Sequence, residues 1–186
     1  VKGKAKRRVA PTHPGRLYQA YYCEENVWQL CRQGQDIPGA RTAVFISNAL
    51  GSCPMWHQRA GRGRPVVWDY HVVLLSHPPF QIWDLDTTLG MPVPALDYLR
   101  HSFREEVPAP YLPSFRLVDA DVFLASFASD REHMRAPDGR YREQPPSWPP
   151  IGSGPSNLMR FVDMQQPFLG EVLTLREFVS RVGGEI

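Results

Sequence analysis

The chain has 186 residues, room for one well-buried domain and little for a second. Hydrophobic residues at 42% and charged ones at 22% are the ordinary balance of a globular protein, and no apolar run reaches the ~18–20 residues that span a bilayer. The net charge of +2 hides an asymmetry, because residues 1–16 hold six Lys and Arg and no acid.

In chain order, residues 1–16 (VKGKAKRRVAPTHPGR) cannot build a core and read as a flexible basic tail ahead of a single domain over 17–186. Such an arm also suits nucleic acid or a nuclear address. The remainder, with 15 Arg against 19 acids, shows no basic stripe with interleaved aromatics, so neither a nucleic-acid nor a membrane partner is expected. No apolar segment follows the basic residues, so they do not read as a secretory signal.

Tyr18–Tyr22 leads into Cys23-Glu-Glu-Asn-Val-Trp-Gln-Leu-Cys31, where Val27, Leu30 and Cys31 recur at helical spacing. A helix of about two or three turns opening at Cys23 is predicted, with Glu24 and Glu25 favoured at its N-terminus and Gly34 and Pro38 as stops. Residues 41–48 (RTAVFISN) read as a strand. Residues 66–76 (VVWDYHVVLLS) are the strongest strand signal and are apolar on both alternate faces, as in a central strand covered on both sides. A turn at His77-Pro-Pro-Phe80 returns the chain as a second strand over residues 81–86 (QIWDLD). Pro94–Phe103 reads as a helix starting at proline, Phe115–Val118 as a strand, and Ala120–Ala128 as a short helix. Residues 136–156, rich in Pro, Gly and Arg, must form a long loop. Thr174-Leu-Arg-Glu177 is a capping box before a last helix that Gly183 stops. Helices and mainly antiparallel strands together make an α+β fold, a central sheet flanked by helices.

The three cysteines, Cys23, Cys31 and Cys53, cannot all pair within one chain, and a reducing compartment is the simpler setting. A zinc set of these with His57 departs from the usual ligand spacing, so no metal is expected. Cys23 stands apart because a thiol in the first turn of a helix feels unpaired N–H groups that favour the thiolate, and its own N–H supplies half of an oxyanion hole. Glu24 and Glu25 oppose that ionisation if they face the sulfur. His71, in an apolar strand, needs partners for both ring nitrogens. With the hairpin turning about Pro78–Pro79, His71 lies opposite Asp86, and Asp84 is its diagonal neighbour on the same face. Either acid completes a nucleophile–base–orienter set, and their shared parity leaves both open.

Tyr22-Cys-Glu-Glu-Asn-Val-Trp28, Ala43-Val-Phe-Ile-Ser-Asn48, Trp68-Asp-Tyr-His-Val-Val-Leu-Leu75 and Trp83-Asp-Leu-Asp-Thr87 resemble the protein N-terminal glutamine amidohydrolase family. So do Phe127-Ala-Ser-Asp-Arg-Glu-His-Met134, Tyr141-Arg-Glu-Gln-Pro-Pro and Leu173-Thr-Leu-Arg-Glu-Phe178. The resemblance runs in order from about Tyr21 to Gly183, and is looser over Gly51–His57 and Ser156–Gln166. It implies a papain- and transglutaminase-like scaffold over 17–186 whose catalytic residues are Cys23, His71 and Asp84, the last chosen over Asp86 by the family motif. The implied reaction is deamidation of an N-terminal glutamine to glutamate through a thioester, without cofactor. The partners are then protein N-termini starting with Gln, met by a monomer in cytosol and nucleus whose product is arginylated and degraded. A free N-terminus needs an acceptor for its α-ammonium, for which Asp69, Asp86 and Asp130 are candidates. The alternatives are a papain- or transglutaminase-like peptidase or acyltransferase and a non-catalytic peptide-binding module.

Overall fold

The computed structural model describes residues 15–184, so the basic segment up to residue 14 lies outside the described residues. Arg16, last residue of the expected tail, pairs with Asp36 at 2.9 and 2.5 Å and stands over the Trp83 ring.

The elements in chain order are α1 (Cys23–Gln33), β1 (Ala40–Ser47), β2 (Cys53–Met55), β3 (Val66–Trp68), β4 (His71–His77), β5 (Gln81–Trp83), β6 (Val93–Pro94), α2 (Ala95–Ser102), β7 (Ser114–Asp119), α3 (Ala120–Ser126), α4 (Leu158–Val162), β8 (Glu171–Thr174) and α5 (Leu175–Arg181). Six of the strands form one antiparallel sheet in the order β6-β5-β4-β1-β7-β8. Strand alternation sends Ala43, Phe45, Val72 and Leu74 to a core shared with α1, α3 and α4. Val44, Ile46, Val73 and Leu75 go to a second core with α2 and α5. The result is the α+β arrangement expected, with helices on both faces of an antiparallel sheet.

The first core is tied by rings: Phe45, Phe123, Phe127 and Phe161 lie with centroids 4.9–5.9 Å apart. Arg116 of β7 is buried on that face, donating to the carbonyls of Phe161, Asp163, Gln166 and Leu169 and so fixing the chain around α4 against the sheet. Thr174 and Glu177 close the predicted capping box at the start of α5.

Two expectations are corrected. The long strand over 66–76 is two strands, because the chain kinks at Asp69, whose carboxylate accepts the N–H of Tyr70 at 2.9 Å while its carbonyl accepts from Ser47 Oγ at 2.6 Å. β3 pairs instead with β2 in a separate two-stranded sheet, and His71 opens β4 rather than sitting mid-strand. The hairpin register is as read, with Leu74 opposite Trp83 and Ser76 opposite Gln81, but the return strand stops at Trp83. Asp84 Oδ1 accepts the N–H of Asp86 at 2.9 Å, an Asx turn that bends the chain away from β4.

Candidate active site

That departure opens the end of the sheet between β4 and the chain after β5, and the mouth of α1 is set into the opening. Two clamps hold the mouth. Asn26 binds the backbone of Gln19 both ways at 2.8 Å, folding the incoming chain onto the first turn. Glu25, with no exposed surface, accepts from Ser129 Oγ, Arg131 Nε and Nη2 and Trp148 Nε1 at 2.7–3.1 Å. Arg131 Nη2 also donates to the carbonyls of Trp148 and Pro149, so one buried fork ties the proline-rich loop to the helix mouth.

Cys23 is the first residue of α1. The β4–β5 ladder ends at Leu74, leaving Val72 without a partner on that side, and its N–H is directed at the Cys23 sulfur. The sulfur thus rests against the amide that follows His71. His71 Nε2 meets Asp84 Oδ1 at 3.0 Å, and its ring stacks on Trp68 with centroids 5.9 Å apart. Asp84 Oδ2 accepts from Gln58 Nε2 at 3.1 Å and from Tyr98 Oη at 2.8 Å. Four donors therefore fix this carboxylate. Burial pushes it upward, but His71 and the hydrogen bonds outweigh that and hold it below the usual range. Burial likewise pulls His71 down, and Asp84 prevails and raises it.

The sulfur does not behave as the sequence suggests. Burial pushes the Cys23 thiol well above its ordinary value, Glu24 and Asp86 push the same way, and the Val72 N–H only partly opposes them. Glu24 faces the sulfur after all: the thiol donates to its Oε2 at 3.7 Å, and Tyr70 Oη donates to the same oxygen at 3.2 Å. A thiol held this way favours its protonated form and would need a base before it could attack.

Of the residues singled out in the sequence, His71, Asp84 and Asp86 come together, and both acids lie close enough to act on the Cys23 thiol. Asp86 is half-buried, accepts from Tyr18 Oη at 2.5 Å, and is raised by burial and by Asp84. His71, Asp84 and Asp86 offer ligand atoms within 4.8 Å of one another, but four donors already occupy the oxygens of Asp84, so the trio is not an open donor set. Asp69 is exposed and turns onto its own neighbour's N–H. Asp130 accepts the N–H groups of Glu132 and Ser156 and serves the loop. Cys31 packs in the first core and Cys53 in the second, so the three thiols do not form one ligand set. Burial pushes both up to about 12. Glu24, Gln58 and Tyr98 were not anticipated as site residues. The one signal was the pair of acids directly after Cys23.

A buried thiol, an imidazole and an anchored carboxylate are the parts of thiol-dependent acyl transfer. The sequence model of the N-terminal glutamine amidase family matches residues 18–182. The chain belongs to this family. The protein N-terminal glutamine amidohydrolase of Bos taurus is 41% identical over 190 residues, covering 95% of this chain and 92% of its own. That of Homo sapiens is 40% identical over 199 residues, covering 98% and 97%. That of Drosophila grimshawi is 42% identical over 177 residues, covering 88% and 86%. As a member of the N-terminal glutamine amidase family, this chain is an amide-hydrolysing enzyme.

Proposed function

We propose that this enzyme hydrolyses the side-chain carboxamide of an N-terminal glutamine in proteins and peptides, giving glutamate and ammonia, with Cys23, His71 and Asp84 as its catalytic residues. The observation that supports this best is the 3.0 Å His71–Asp84 contact beside a helix-borne thiol that rests on the next amide of the same strand.

Asp84 engages Nε2, which fixes the tautomer and leaves Nδ1 to take the Cys23 proton. The sulfur adds to the glutamine Cδ, and the oxyanion is met by the Cys23 N–H at the mouth of α1. The imidazolium, steadied by Asp84, passes its proton to the departing nitrogen. Ammonia leaves and a γ-thioester remains. Water then gives a proton to His71 and its oxygen to the acyl carbon, the C–S bond breaks, and the sulfur recovers the proton. The scheme needs no metal or organic cofactor. An asparagine side chain, one methylene shorter, does not bring its amide to the sulfur once its amine is docked.

A cysteine at a helix mouth packed on an antiparallel sheet that carries the histidine supports a papain- and transglutaminase-like scaffold. In this reading the enzyme acts as a monomer in cytosol and nucleus, and its product is passed to arginylation and degradation. These rest on the family resemblance.

The test is mass spectrometry of peptides starting with Gln, Asn or acetyl-Gln after incubation with the protein. Only the first is expected to change amide for acid, at unchanged chain length. Cys23→Ala is expected to lower turnover by at least about a thousandfold. Full turnover by that variant, or backbone cleavage by the parent, overturns the reading.

A further inference from the structure

We propose that Glu24 is the receptor for the substrate's α-ammonium, and that the docked cation offsets the negative charge facing the Cys23 sulfur. The inference rests on the N-terminal glutamine reading and adds to it the feature that makes the reaction specific for a free amine.

The two glutamates that follow Cys23 are both fully buried, and they are treated in opposite ways. Glu25 is saturated by four donors. Glu24 has Tyr70 Oη and the thiol on Oε2, while Oε1, also buried, has no hydrogen-bond partner among the described residues. A buried anion with an open acceptor is costly, and a cation brought by the ligand removes that cost. Among the described residues, the group able to carry positive charge beside this oxygen is His133, whose Nε2 stands 3.6 Å from Oε1, outside hydrogen-bond reach. With 23% of its side chain exposed, His133 links this carboxylate to the surface.

The reach fits. In glutamine the α-nitrogen lies four bonds from Cδ, about 5 Å when extended and less when folded. Glu24 Oε2 is 3.7 Å from the sulfur that attacks Cδ, so one side chain spans both groups. The other acids are spoken for: Asp86 by Tyr18, Asp130 by two backbone N–H groups, and Asp69 by Tyr70 N–H at an exposed position. After burial, Glu24 is the strongest influence keeping the Cys23 proton in place. An ammonium seated on Glu24 neutralises that influence at the moment the carboxamide reaches the sulfur. An acetylated N-terminus brings no charge and leaves the thiol as it was.

The test compares a Gln-starting peptide with its des-amino analogue, in which the α-amine is replaced by hydrogen, on the parent protein and on Glu24→Gln. The parent is expected to favour the amine by about a hundredfold or more in kcat/KM. In Glu24→Gln the preference should fall below about tenfold. Iodoacetamide should also alkylate Cys23 faster in Glu24→Gln at neutral pH, since a negative neighbour is gone. Equal loss on both substrates, or unchanged alkylation, overturns the proposal. Should Glu24→Gln fail to fold by circular dichroism, Tyr70→Phe removes only the hydroxyl on Oε2. A loss confined to the amine substrate is then expected, and an equal loss on both is fatal. If the parent releases no ammonia from the Gln peptide, the underlying function fails instead.

Discussion

Asp84 spends both oxygens on four donors while buried, so it can neither move nor take a proton easily, and it sets the charge state of His71. Its effect has a definite sign. His71 is raised despite its burial, so it keeps its proton to higher pH than an ordinary histidine near ~6.5. In the proposed mechanism the working form has one proton fewer on the Cys23–His71 pair, so kcat/KM should climb with pH through a value above that reference. Asp84→Asn removes the anion and leaves the burial, so the acid limb should shift to lower pH while kcat drops by about 10²–10⁴. Profiles of kcat/KM against pH for both proteins check this, and an unmoved limb rejects the role. The sequence showed that His71 needs an acid but not which one, because Asp84 and Asp86 share parity. Asp84 wins by bending its own chain through the Asp86 N–H, a local turn that no ladder register predicts. Which way Glu24 points was equally hidden, since it depends on Tyr70 and His133, distant in sequence.

Among the elements, the loop over 136–156 contributes no helix or strand, yet it is not loose, because Arg131 holds the carbonyls of Pro146, Trp148 and Pro149 and forks onto Glu25. Arg131→Met should destabilise the protein by about 3–5 kcal/mol, because it strands a buried carboxylate at the first turn of α1. Urea denaturation measures it, and a change below about 1 kcal/mol shows the pair to be dispensable. Elements with a long period or an explicit cap were readable: α1 from its apolar stripe, α2 from Pro94, and α5 from its capping box. β2, α4 and β8 were not, for three to five residues are too few to display a period, and pairing or burial alone defines them. The predicted strand over 66–76 broke because alternation persists through the kink at Asp69, where only hydrogen bonding changes.

Across the whole molecule, one sheet separates two cores, and Phe161 joins more of the first than any single contact suggests. Its ring meets Phe45, Phe123, Phe127 and Phe168, and its carbonyl accepts from Arg116. Phe161→Ala should cost about 3–5 kcal/mol, a large part of the ~5–15 kcal/mol typical of a domain, and equilibrium unfolding reads it directly. The unfinished β4 edge also has a practical outcome. The thiol is the last rung of that sheet edge, since the Val72 amide turns to sulfur where a neighbouring strand would have been. Erasing the side chain altogether orphans this amide, whereas serine retains an acceptor on the same carbon. The silent variant best suited to capturing a substrate complex is therefore Cys23→Ser, which keeps the edge mended while it idles the chemistry.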